Sequence, residues 1–138
     1  MIDKNLINKK FKKLNIYIKQ LRKYKNISKE ELEDNLDKLW AVERGLQISI
    51  QTILDTGIHI LSKKGVFIEK YSDVFEELIS EDIIPKDFGN RIKFIADLRN
   101  ILIFDYTNID IKMIVKVLNN SLDDFEEYVR YINIYLEK

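Results

Sequence analysis

No cysteine occurs in the chain, which excludes disulfide staples, thiol nucleophiles and cysteine-held zinc. Histidine occurs once, at His59, so one subunit cannot offer two histidine ligands to a metal. Four glycines and one proline in 138 residues are too few for a sheet protein built on turns, and they leave no flexible linker. No run approaches the ~18 consecutive apolar residues of a membrane span, so no membrane partner is expected. Met1-Ile2-Asp3-Lys4 leads into lysines rather than into an apolar core followed by small residues. A secretory signal is therefore not expected, and the chain reads as cytoplasmic.

What is present is ordinary in amount and unusual in distribution. Hydrophobic residues make up 46% and charged residues 33%, with 23 bases against 23 acids. Residues 1–27 hold nine Lys or Arg against Asp3 alone, a balance of +8; the rest carries 14 bases and 22 acids, or −8. A basic first helix offers a phosphate-facing surface. The plainer reading is that it neutralises the acidic remainder or faces water.

Periodicity predicts helices throughout. Ile7, Phe11, Leu14, Ile18 and Leu21 recur at spacings of four and three, predicting a helix over about 3–25 with lysines on its other faces. Ser28, followed three residues later by Glu31, reads as a capping box. Beyond it Leu32, Leu36, Leu39, Glu43, Leu46, Ile50, Ile53, Gly57 and Ile60 continue the spacing. They predict one helix of about 35 residues, a rod of roughly 50 Å, with a kink near Gly57. Further helices are expected over about 72–81, over 87–104 with Asp87 as cap, and from a Thr107/Asp110 capping box to about 136. No segment shows sustained period-2 alternation. The expected fold is all-α, an antiparallel up-and-down bundle of four to five helices with one long helix, in a single domain spanning 1–138.

The informative residues are polar groups where the pattern expects hydrocarbon. Glu43 occupies a seam position, and a buried pair with Arg99 across two helices would offset its cost. Asp55, His59 and Ser62 share one face, with Asp55 and His59 placed for an i,i+4 bond. Arg99 and Asn100 stand near a helix end, where a planar guanidinium suits either the helix dipole or a bound phosphate. Tyr106 falls at a helix-to-loop junction as packing, nucleic-acid contact or modification site. No Gly-rich phosphate loop, nucleophile elbow or HExxH motif occurs, and the carboxylates scatter without a metal cluster.

The segment Arg99-Asn100-Ile101-Leu102-Ile103-Phe104-Asp105-Tyr106, followed by Ile109-Asp110, resembles the signature stretch of the HepT-like HEPN family. Ala41-Val42-Glu43-Arg44 and the stretch from Asp55 to Ser62 resemble its second-helix segments, and Tyr71-Ser72-Asp73-Val74-Phe75 resembles the start of its third. The similarity spans roughly residues 30–120 in order. It implies a homodimeric, all-helical toxin encoded beside a small nucleotidyltransferase antitoxin. It further implies metal-independent RNA cleavage through an Arg-x4-His-x-Tyr motif, no cofactor, and neutralisation by transfer of AMP from ATP to the motif tyrosine. Residue by residue, the motif falls on Arg99, Asn100 and Tyr106 as catalytic candidates, with Tyr106 also the modification site.

The motif histidine falls on Phe104, and a phenyl ring neither takes nor gives a proton. His59 and Asp105 are the candidate substitutes for proton transfer, with Glu43 and Asp55 as supporting polar groups. An ideal helix sets position 104 about 140° around from Arg99. Two readings follow: a toxin that binds and cleaves RNA under the control of a nucleotidyltransferase, and, as the alternative, a catalytically inactive binding module for that partner.

Overall fold

In the computed structural model, which describes residues 1–104 and 109–138, the chain is all-α. The elements are α1 (Lys4–Arg22), α2 (Lys29–Asp34), α3 (Leu36–Lys63), a 3₁₀ turn (Tyr71–Asp73), α4 (Val74–Ser80), α5 (Lys86–Ile92), α6 (Ile95–Phe104), α7 (Ile111–Asn120) and α8 (Leu122–Leu136). The expectation of four to five helices is therefore corrected. Three of the expected helices are each cut in two, giving eight α-helical segments among the described residues.

The physical causes lie at the cuts. The expected 35-residue rod breaks at Asn35, whose backbone leaves the helical region (φ −131°, ψ 95°). Its side chain accepts from the Lys38 N–H at 3.1 Å, so it caps a new helix instead of extending the old one. Ser28 accepts from the Glu31 N–H at 3.0 Å, yet it opens only the six-residue α2. The Glu31 carboxylate meets Lys38 Nζ at 3.1 Å. The expected fourth helix starts at Lys86 behind Pro85, which displaces Asp87 from the cap into the first turn. It is then interrupted between Ile92 and Ile95. The last helix breaks at Ser121, where φ reaches −113°. At the second and third cuts both flanking segments bury the same face, so the apolar rhythm runs on across an interrupted backbone; at Asn35 it does not, because Leu36 of the expected stripe is 55% exposed.

The stripe on α1 is wholly buried: Ile7, Phe11, Leu14, Ile18 and Leu21 all enter the core. Asp3 meets His59 and Leu21 lies against Gly45, so α1 runs antiparallel to α3. A Cβ on Gly45 would come within 2.8 Å of Leu21 Cδ2, and one on Gly57 within 2.9 Å of Val74 Cγ1. Glycine at these positions is what lets α1 and α4 approach α3 closely. On its other flank α1 meets α8, also antiparallel, through Phe11 edge-on to Tyr128 (6.1 Å) and Arg22 paired with Asp123 (2.8 Å) and Glu126.

After α3, Gly65 adopts a left-handed conformation (φ 81°) and the Val66 N–H donates back to the Leu61 carbonyl at 2.9 Å. The chain reverses there. Val66 and Ile68 turn towards the core while Phe67 faces water, and the 3₁₀ turn returns Tyr71 to the middle of α3. With α6 packed along the same helix, three segments meet at one edge.

Candidate active site

Ile95, Leu98 and Leu102 fasten α6 into the core, which leaves Arg99 half-buried on its rim. Arg99 Nε donates to Gln51 Oε1 at 2.9 Å, and Nη1 donates to Asn100 Oδ1 at 3.0 Å. Gln51 Nε2 donates to Asp55 Oδ1 at 2.7 Å and to the Tyr71 hydroxyl at 3.4 Å. Chemistry fixes this amide: the guanidinium only donates and the carboxylate only accepts, so the oxygen faces Arg99 and the nitrogen faces Asp55. The guanidinium carbon sits 4.2 Å from the Tyr71 ring centroid and 5.7 Å from that of Phe104. Two aromatic rings and one amide thus orient a cation that faces partly into water. Such a group can place parallel N–H donors on phosphoryl oxygens.

The structure brings some of the expected residues together and separates others. Arg99, Asn100 and Asp55 belong to one hydrogen-bonded chain through Gln51. The expected Asp55–His59 bond is replaced: Asp55 accepts from Gln51, and His59 Nε2 accepts from the Asp3 N–H at 3.3 Å. His59 therefore faces the start of α1, not Arg99. Nor does an ion pair join Glu43 to Arg99 among the described residues. Glu43 lies two helical turns before Gln51, roughly 12 Å along α3, and desolvation alone raises its carboxyl above the usual range. Phe104 does not point inward; it is 75% exposed. Asp105, Tyr106 and Thr107 lie outside the described residues. Asp110 caps α7, its side chain accepting from the Lys112 N–H at 3.0 Å.

Gln51 and Tyr71 are the site residues that sequence reasoning missed. Gln51 stands one turn before Asp55 on the same face, and that i,i+4 relation was the available signal. Tyr71 heads a stretch singled out for its resemblance, but nothing local marks it as a partner of the arginine. Among the described residues no three His, Asp or Glu side chains form a metal cradle, and no helix is long and apolar enough to cross a membrane.

The helical architecture is that of a known family. The chain is a member of the HepT-like family, whose profile, described as Ribonuclease HepT-like, matches residues 14–132. It is similar to the tRNA nuclease HepT of Aphanizomenon flos-aquae, 29% identical over 137 residues, covering 98% of this chain and 92% of that protein. It is also similar to the mRNA nuclease HepT of Shewanella oneidensis, 28% identical over 88 residues, or 63% of this chain and 66% of that one. Among solved structures, the tri-AMPylated HEPN toxin of Shewanella oneidensis, in complex with the MNT antitoxin, superposes with a TM-score of 0.85. That alignment is 21% identical and covers 96% of this chain and 99% of the toxin, which establishes the shared fold.

Proposed function

We propose that this chain, with residues 1–138 acting as one domain, is the toxin of a toxin–antitoxin pair and cleaves RNA without a metal. Its regulator is a nucleotidyltransferase that adenylylates Tyr106. The observation that carries this reading is the half-exposed Arg99 guanidinium, held by Gln51 at 2.9 Å and stacked on Tyr71 at 4.2 Å. In the cleavage, a ribose 2′-oxygen attacks the adjacent phosphorus as its proton leaves. The 5′-oxygen departs and takes up a proton, leaving a cyclic phosphate. Negative charge grows on the non-bridging oxygens, and a preorganised guanidinium stabilises it. A second copy of the chain facing the first would set two such arginines across one cleft, in keeping with a homodimer.

Proton transfer is the weak point of this site. Phe104 contributes none, and His59 is engaged by the Asp3 N–H at the start of α1, roughly 12 Å along α3 from Gln51. That leaves water or Asp105 to move the protons, and the rate lacks the ~10²–10⁴-fold of a well-placed general acid–base. The exposed Phe104 ring beside Arg99 is the specific observation favouring the second reading, a binding module that docks the nucleotidyltransferase without cleaving.

Labelled RNA incubated with purified protein in EDTA separates the two. Cleavage that disappears in Arg99→Ala supports the ribonuclease; equal absence of products from both proteins supports the binding module. For the regulator, incubation with the partner and ATP is expected to add AMP to the peptide containing Tyr106, read by mass spectrometry. AMP on any other peptide overturns that assignment. Sedimentation at micromolar concentration is expected to give a dimer, and a clean monomer refutes it.

A further inference from the structure

We propose that a cleft between α1 and α3, lined by Lys9, Lys10, Lys13 and Tyr17, binds the phosphodiester chain of RNA beside Arg99. The proposal rests on the ribonuclease reading and assigns that reading a substrate-holding surface. Leu6 and Thr52 complete the lining of a recess of about 330 Å³.

Three observations converge here. Lys9, Lys13 and Tyr17 follow one another at spacings of four, so they form a single row along α1, with Lys10 alongside. Like charges at that spacing repel and weaken a helix unless a counter-charge is near. Among the described residues no ion pair serves them. Every ion pair among the described residues uses Arg22, Lys29, Lys38, Lys64, Arg91 or Arg130. Neutralisation of the acidic remainder thus falls, on α1, to Arg22 at its end, and the lysines of the row stay available for an external anion.

The second observation is the shape of the cleft. Tyr17 is half-buried and gives the recess an aromatic wall on which a base can stack, while the ammonium groups meet phosphates. A recess with an aromatic wall suits a flexible polyanion better than it suits the folded acidic face of a protein. The third is position. Thr52 lines the cleft, and Gln51, the preceding residue, holds Arg99. The two are about 100° apart around α3 and about 1.5 Å apart along it, so the lysine row and the guanidinium flank neighbouring faces of the same turn. A strand lying in the cleft is delivered to Arg99.

The test uses the full chain carrying Lys9→Gln, Lys10→Gln and Lys13→Gln together, all solvent-facing or half-exposed. A control triple, Lys12→Gln, Lys19→Gln and Lys23→Gln, removes equal charge from exposed positions of the same helix and its C-cap, turned towards the α8 side. The probe is a labelled single-stranded RNA oligonucleotide, 2′-O-methylated so that it lacks the attacking hydroxyl, titrated by anisotropy across a salt series. Losing three phosphate contacts lowers the salt slope by about 2 and the affinity roughly 100-fold at 0.1 M salt. The control triple is expected to change both far less. Circular dichroism confirms that each variant is folded.

Equal losses in the two triples, or no loss in either, overturn the proposal. So does loss of nucleotidyltransferase binding with RNA affinity intact, which reassigns the row to a protein partner. Cleavage of unmodified RNA is scored separately. A parent that binds but does not cleave defeats the ribonuclease reading and leaves the cleft standing; a cleaving parent whose cleft triple binds as tightly defeats the cleft alone.

Discussion

Two polar networks touch α3 within two turns of each other, and they are built on opposite terms. The first is closed. Tyr128 is fully buried, donates to the Ile53 carbonyl at 2.9 Å and shares a bond with Thr56 Oγ1 at 2.8 Å. Every group there finds a partner inside the protein, as a buried polar group must. The second is open: Asp55, Gln51, Arg99 and Asn100 form a chain on a half-exposed edge, braced by Tyr71. A closed network specifies packing, whereas an open one keeps donors that a ligand can use. The difference is set by which face of α3 the residue occupies, not by the kind of side chain involved.

The sharpest way to press the comparison is to complete the open network chemically. Phe104→His places an imidazole at an exposed position beside Arg99 and is expected to raise RNA cleavage in EDTA by ~10²–10⁴-fold. An unchanged rate would show that the edge does not hold a scissile phosphate. Next is Gln51→Ala, which takes the acceptor from Arg99. A hydrogen bond to a charged group is worth about 1.5–3 kcal/mol, so cleavage is expected to fall roughly 10–100-fold while the thermal midpoint moves little.

The closed network is expected to answer in the opposite currency. Tyr128→Phe removes the phenol bond to the Ile53 carbonyl, which keeps Thr56 Oγ1 at 3.0 Å, together with the bond shared with Thr56, and is expected to cost about 1–2 kcal/mol of stability in urea, with the cleavage rate of the folded protein unchanged. Burial raises the Tyr128 phenol well above its ordinary 10. The unfolded chain therefore ionises first, and stability is lost as pH climbs beyond about 10. Tyr128→Phe is expected to flatten that alkaline decline. The smallest effect belongs to Glu43, which joins neither network. Desolvation raises its carboxyl above 4.5, so the stabilisation it provides when protonated is lost as pH rises through the raised value. Glu43→Gln is expected to give a slight gain in thermal midpoint at pH 7 and none at pH 4.

The class of fold was legible in the residues because burial and periodicity coincide, as all five stripe residues on α1 demonstrate. The cuts at Asn35, between Ile92 and Ile95, and at Ser121 were not. A spacing rule registers which face is apolar and is blind to one or two residues that leave helical geometry while that face stays buried, and at Asn35 it also assigns to the core Leu36, which the structure leaves exposed. Asn35 carried a signal, since asparagine is a favoured cap, but the leucines on either side outweighed it. At the site, Arg99 and Asn100 were singled out from their own segment. Gln51 and Tyr71 acquire their roles only when α3, α6 and the 3₁₀ turn meet, and no local pattern encodes that meeting. His59 was placed on the correct face as a polar residue and given the wrong neighbour, because α1 lies against that turn.

The reversal at Gly65 works as a ruler. From Gln51 to Lys63 the chain climbs roughly 18 Å of helix, and residues 64–71 must come back down to put Tyr71 beside the turn it left. Fully extended, that return reaches roughly 26–29 Å, so its slack is about the length of two to three residues, which the reversal at Gly65 and the 3₁₀ turn take up. Extra residues there would bulge into solvent at little cost, whereas removing two or three would draw Tyr71 off the guanidinium without touching any residue of the site. The length of an unremarkable connection is therefore part of the specification of the arginine-bearing edge, and relatives that shorten it are expected to brace their arginine by some other side chain.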